Sequence, residues 1–147
     1  MKHTTRLAVA MLALAPALAS GEELDLGQVL DKGAVKLGKA DLEGLIPGST
    51  TKFSQWTTGP RGQANVEYSW ENPPDGASFR AYGRGQQTSF DGTGTWSISR
   101  DGRYCWDITF TRQWKTCRFV FKAGDGYYLS PAADDRAAKA LSVKFSK

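Results

Sequence analysis

Few residues in this chain have chemical capacity, and their spacing limits what they could do. Glu67, Glu71 and Asp75 come nearest to a carboxylate cluster. Two carboxylates can hydrolyse a glycosidic bond when they face each other across a cleft. Here Glu67 falls on the polar side of an alternating run and the other two fall in a turn over residues 71–76, which is the pattern of solvated surface groups. Arg84, Arg103, Arg112 and Arg118 could bind an anion or could solubilise the outside of the fold. Gly83-Arg84-Gly85 lacks the third glycine and the following helix of a dinucleotide loop, and no GKS or GKT occurs, so phosphate cradling is not expected.

The only histidine is His3. It lies in MKHTTRLAVAMLALAPALAS, where a basic start (Lys2, Arg6) precedes an apolar run over residues 7–18 and small residues at Ala17 and Ala19. This is the pattern of a secretory signal peptide cleaved after Ala19. The apolar run is short of the ~20 residues a membrane span needs, so no transmembrane segment is expected after cleavage. Cleavage would leave 128 of the 147 residues, with no histidine among them. A Ser-His-Asp or Cys-His arrangement and a histidine acid/base are then out of reach. No catalytic residue, metal or cofactor is expected, and the chain reads as a protein other than an enzyme.

Charge points the same way. Of 19 Lys and Arg and 15 Asp and Glu, only Lys2 and Arg6 leave with that segment, so the net charge falls from +4 to +2. The sequence pI near 9.1 therefore overstates the basicity of the exported domain, and nucleic acid is not an expected partner.

The elements that must position these residues are mostly strands. Residues 93–121 (TGTWSISRDGRYCWDITFTRQWKTCRFVF) carry three of the five tryptophans and both cysteines, and read as a three-stranded meander. Asp101-Gly102 is a preferred pair for a two-residue type I′ hairpin, in which both positions take positive φ. A second reversal centred on Thr111 would put Cys105 opposite Cys117, Asp107 opposite Lys115 and Ile108 opposite Trp114. Cross-strand pairs of the last two kinds contribute about 0.2–1 kcal/mol each. In an oxidising compartment the cysteines are expected as a disulfide. The alternatives are two free thiols or a metal pair, and a metal pair would ordinarily call on more Cys or His. One conflict stands in this register. Trp106, Ile108 and Phe110 share a face that excludes Cys105, whereas Cys117 shares its face with Phe119 and Phe121. Either a bulge near Cys117 or a strand buried on both sides would resolve it.

Before the meander, residues 22–30 give a loosely periodic helical pattern. Residues 40–46 give a better one, with Asp41 in a capping position and Pro47-Gly48 as a stop. That second helix is expected to cover one end of a barrel. Further strands are expected over residues 50–56, 64–70 and 77–82, a short pairing at Ser89-Phe90 before a turn at Asp91-Gly92, and later strands over residues 127–130 and 141–145. This amounts to about eight strands with turn signals between them and no helical crossovers. The expected fold is all-β: a small antiparallel β-barrel, lipocalin- or avidin-like in shape, with a short N-terminal helix. The expected division is a signal peptide over 1–19, an N-terminal extension over 20–48 and the barrel over 49–147.

The aromatic residues could line a cavity for an apolar or sugar-like ligand, or could fill the core of a small domain. Trp56, Trp70 and Tyr82 lie near strand ends beside turns and are the candidates for exposure; with Arg84 they are the candidate ligand or partner contacts.

Taken in order, LEGLIPGST, then Gly94-Thr95-Trp96 in GTGTW, Cys105-Trp106 in DGRYCW, Cys117 in KTCRFVF and finally GDGYYL resemble a family of small exported bacterial proteins known chiefly as a domain of unknown function. The resemblance spans residues 41–129. It implies an exported β-domain with paired cysteines and carries no functional residue with it. The expected role is a periplasmic or secreted barrel that binds a small ligand in its cavity or an envelope protein on its rim. The alternative is a protein inhibitor or structural cell-envelope protein acting through loops 59–63 and 72–76.

Overall fold

The computed structural model describes residues 23–147, and the expected signal peptide lies outside them. Along the chain come β1 (Glu23–Asp25), α1 (Leu26–Asp31), β2 (Val35–Lys36), α2 (Lys39–Leu45), β3 (Thr50–Gly59), β4 (Gly62–Glu71), β5 (Phe79–Arg84), β6 (Ser89–Ile98), β7 (Tyr104–Thr109), β8 (Gln113–Ala123), β9 (Gly126–Ser130) and β10 (Lys139–Ser146). Strands β3 to β10 pair antiparallel with their neighbours in sequence, and β10 pairs back onto β3. The result is a closed eight-stranded up-and-down barrel, in which every one of these strands has a ladder partner on both sides over at least part of its length.

Alternation sets which residues face in. Val66, Tyr68 and Trp70 of β4, Phe79 and Ala81 of β5, and Tyr104, Trp106 and Ile108 of β7 are all buried. The centre is a stack of rings: Phe53, Tyr68, Trp70, Trp106 and Trp114 have neighbouring ring centroids 5.0–6.5 Å apart, mostly tilted or edge-on as aromatic quadrupoles favour.

The β7–β8 register is centred on Thr111. It places Cys105 opposite Cys117, Asp107 opposite Lys115 and Ile108 opposite Trp114. The cysteines form a disulfide with their Cα atoms 4.0 Å apart. Asp107 spends its carboxylate on Gln113 Nε2, at 2.9 and 3.2 Å. No bulge interrupts β8; the strand is buried on both sides instead. Val120 belongs to the barrel core, while Phe121 packs outside it against Leu26 and Val29 of α1 and Ala140 of β10.

Two turn expectations fail. Asp91-Gly92 lies inside β6, which runs unbroken from residue 89 to 98. Glycine is needed there for space, since a Cβ on Gly92 would sit 2.2 Å from the Thr109 carbonyl oxygen on β7. Asp101-Gly102 does not form a two-residue type I′ turn, because among the described residues no residue other than glycine takes positive φ, Asp101 included. Ser99 N–H donates to Arg103 O (2.9 Å) and Gly102 N–H to Ser99 O (3.1 Å), closing a three-residue loop. Only Gly102 is left-handed, with φ +74°. The Ser99 hydroxyl takes the Arg103 N–H (3.0 Å) and donates to Asp101 (2.5 Å), favouring this longer loop. Trp96 therefore lies opposite Trp106, one residue from the register a two-residue turn would set.

The N-terminal segment straps the barrel. β1 pairs with the start of β10, α1 lies over the outer wall, and β2 pairs with the end of β8. α2 then covers one end, inserting Leu42 and the following Ile46 into the core. Asp41 is the third residue of α2, and its carboxylate accepts the N–H of Gly38, the N-cap (2.8 Å).

Beneath the ring stack lies a buried polar cycle. Asn72 Nδ2 donates to Thr51 Oγ1 (2.8 Å), and the Tyr104 hydroxyl donates to Asn72 Oδ1 (2.6 Å). The Thr51 hydroxyl is thereby left to donate to Tyr104 Oη (3.1 Å). Trp70 Nε1 donates into the same cycle, 2.8 Å from Tyr104 Oη. Burial drives the Tyr104 phenol far above its ordinary range, against the three hydrogen bonds that would lower it.

Two outcomes follow. Tyr104→Phe should cost on the order of 1–3 kcal/mol at neutral pH, because buried partners lose their bond. The folded pKa of Tyr104 lies above the unfolded value near 10, so this group's contribution is complete below about pH 10 and is lost as pH rises beyond it. The variant should accordingly lose less stability than the parent in denaturant melts above pH 10. Separately, reduction of Cys105–Cys117 should lower stability by about 3 kcal/mol for a loop of this size, and neither thiol should be alkylated in the native, unreduced protein.

Candidate ligand-binding site

The two barrel ends differ. One is sealed by α2 and the polar cycle, whereas at the other, among the described residues, lie the β3–β4, β5–β6 and β7–β8 connections and the loop between β9 and β10, to which the start of α1 is hydrogen-bonded. At that open end lies a concavity of about 710 Å³, within the size range of small-molecule sites. Its floor is Val66, Tyr68 and Phe90, and its rim carries Arg61, Gln63, Gln86, Gln87 and Thr88.

Strand parity and one glycine build the floor. Phe90 pairs with Gly83, so both face inward, and a Cβ on Gly83 would stand 2.3 Å from the Phe90 ring. The bare glycine lets the ring lie across β5. Phe90 meets Phe110 edge-on at 5.0 Å and Tyr68 at 6.2 Å, and keeps 36% of its surface exposed. Burial raises the Tyr68 phenol pKa, so its hydroxyl stays neutral. The rim connections are short: Pro60-Arg61 spans Gly59 and Gly62, and Gly85 N–H donates to Thr88 O (2.8 Å). An apolar floor under a rim of amides, a hydroxyl and one guanidinium suits a small amphipathic molecule, which would place hydrocarbon on the rings and polar atoms at the rim.

The residues singled out from sequence lie elsewhere. Tyr82 and Arg84 sit on the outer wall in a groove of about 620 Å³ across β4, β5 and β6, beside Glu67, Ser69, Arg80 and Asp91. Arg80 pairs with Asp91 there, and Lys52 with Glu67 at 3.2 Å. Tyr82 is 52% exposed, and Trp56, on the same outer face of β3, is 57% exposed. Trp70 is a correction: it is 2% exposed and hydrogen-bonded to Tyr104. It stands at a strand end, but the polar cycle folds beneath it, so the end of β4 is interior.

Glu67 and Glu71 are both on the outward side of β4, separated by four residues, or about 13 Å of extended strand. Asp75 caps its own loop by accepting the Ala77 N–H (3.0 Å). The three carboxylates do not face one another. Among the arginines, Arg103 pairs with Asp101 at 2.9 Å and Arg112 is exposed. Arg118 departs from the expected outer position, since it lies opposite the buried Tyr104 and lines an interior cavity.

Sequence reasoning marked loop 59–63 as a contact surface but missed Val66, Tyr68 and Phe90. The available signal was the parity of β4, which put Val66 and Tyr68 inside; nothing in the sequence showed which end of the barrel α2 would leave open. Among the described residues no group of three or more His, Cys, Asp or Glu is placed to hold a metal, and no helix is long and apolar enough to cross a membrane. Comparison of the chain with protein-family models, curated proteins and solved structures finds no match.

Proposed function

We propose that this chain is an exported binding protein rather than an enzyme, acting in the periplasm or outside the cell and holding a small amphipathic ligand in the open mouth of its barrel. The observation that carries this reading is Phe90, about one third exposed and held over Gly83 at the floor of a concavity of about 710 Å³. A single exposed ring needs no explanation by itself, but rings gathered at the floor of a concavity with a few polar groups at its rim are the usual make-up of a small-molecule site. The disulfide suits an oxidising compartment. The resemblance carried by Gly94-Thr95-Trp96, Cys105-Trp106 and Cys117 supports grouping the chain with small exported bacterial proteins.

A second reading rests on Trp56 and Tyr82, both more than half exposed on one outer face. Separate exposed rings with ion pairs between them on the outer wall suit an envelope protein, making the chain an inhibitor or structural component that acts through its wall.

The two readings separate in a titration with 1-anilinonaphthalene-8-sulfonate, an amphipathic fluorescent probe. The mouth reading predicts saturable 1:1 binding, weakened about tenfold or more by Phe90→Glu, a loss of at least 1.4 kcal/mol, and unchanged by Tyr82→Ala. Binding that ignores Phe90→Glu and disappears with Tyr82→Ala would move the site to the wall.

A further inference from the structure

The barrel wall is not continuous over its full height. β9 pairs with β8 only along residues 119–123, and β10 pairs with β3 only along residues 50–53. On those sides the remaining halves of β8 (113–118) and β3 (54–59) have no ladder partner. Between them the wall is completed by the loop over residues 131–138 and by β1, which takes over beside β10 where β3 diverges.

Behind this seam lies a cavity of about 120 Å³ that shares no lining residue with the mouth. Phe53, Trp106, Trp114, Leu129 and Leu141 form its apolar part, and Gln55 adds a polar side chain. Into that lining the fold places Arg118. Its Nη1 donates to Thr116 Oγ1 (2.5 Å) and to the Cys117 carbonyl oxygen (3.2 Å). Among the described residues no carboxylate lies within ion-pair distance of the guanidinium, which keeps further N–H donors. Burial disfavours its charged form, as its lowered pKa reflects. A second donor from the same lining is also without an acceptor: Trp106 Nε1 is buried and makes no hydrogen bond. Glu23 and Lys139 stand at the edge of the cavity. Lys139 is tied to Asp25 at 2.6 Å, and Glu23, though in the same lining, lies beyond ion-pair distance of Arg118.

A half-buried guanidinium with no carboxylate in ion-pair contact, set among rings, gains from an anion that reaches it directly. A carboxylate matches the guanidinium fork in plane and spacing, and the rings suit a hydrocarbon tail. The cavity holds about four water volumes at ~30 Å³ each, enough for a carboxyl group and a very short chain. We propose that the cavity behind the seam binds a short-chain monocarboxylate, with the carboxylate on Arg118 and the alkyl group against Trp106 and Trp114. This proposal is independent of the mouth reading, because the two sites share no residue.

The test is titration of the intrinsic tryptophan emission of the oxidised protein with acetate, propionate and butyrate at constant ionic strength. n-Butanol, chloride and sulfate serve as controls. Trp106 and Trp114 report directly, since both line the cavity. The proposal predicts saturable changes for the acids at or below about 10 mM, in keeping with the few atoms available for contact. Affinity should be at least about tenfold weaker for n-butanol and for the inorganic anions. Arg118→Met should remove the response to the acids, and Arg118→Lys should keep part of it. Equal affinity for butyrate and n-butanol would show an apolar cavity with no anion site. An equal response to sulfate would show a general anion site. Either result, or no saturable response to any acid, would overturn the proposal, and none of these outcomes depends on whether the Arg118→Met variant folds.

Discussion

Three hydrogen bonds arranged head to tail determine how the sealed end of this barrel is built. Asn72 donates to Thr51, Thr51 to Tyr104, and Tyr104 back to Asn72, with Trp70 donating into the cycle from above. Each hydroxyl gives one proton and receives at least one, so the direction of the whole cycle is fixed. Bonds in series polarise one another in a dry interior. The cycle joins the start of β3, the end of β4 and the start of β7, which are far apart in sequence. The backbone adds to it: Asn72 N–H donates to Ser49 O and Gly48 N–H to Asn72 O. α2 then closes over the same end, with Leu42 and Ile46 fully buried. With one end committed to structure, the described residues leave the opposite mouth and the seam where the β8–β9 and β3–β10 pairings end early.

Much of this fold was legible in the sequence, because its strands obey parity. In β4 the alternation of Val66, Tyr68 and Trp70 with polar neighbours gave the inward face, and the reversal at Thr111 gave the register that brings Cys105 to Cys117. The failures have local physical causes. Asp91-Gly92 looked like a turn because the pair favours turns, but Gly92 is there to let β7 approach β6. Asp101-Gly102 is a turn pair, yet the Ser99 hydroxyl captures the Arg103 N–H and draws one more residue into the loop. The doubly buried stretch of β8 could not be assigned from its own residues. Its cause lies about ninety residues earlier, in the α1 segment that covers Phe121.

The site was less legible than the fold. Exposure was expected for aromatic residues near strand ends, and Trp56 and Tyr82 follow that rule. Trp70 breaks it, since a strand end is exposed only if nothing folds beneath it. Phe90 was legible only as a strand residue and Arg118 only as one of four arginines that could bind an anion or solubilise the outside, for a shared reason. Each owes its importance to a neighbour distant in sequence: Gly83 makes room for the Phe90 ring, and the early end of β9 opens the wall beside Arg118. Composition shows that a chain has rings and guanidiniums, but only topology shows which of them face a space a ligand can enter.

The central claim is that this barrel holds a small molecule in its interior rather than serving only as a packed scaffold. Native mass spectrometry of the protein purified from its own source, set against the denatured mass of the same sample, tests this most directly. The account predicts a native mass exceeding the denatured mass by one small non-covalent ligand. A native mass equal to that of the bare oxidised chain, or one exceeding it only by a bound protein subunit, would contradict the account and transfer the function to the outer wall that bears Trp56 and Tyr82.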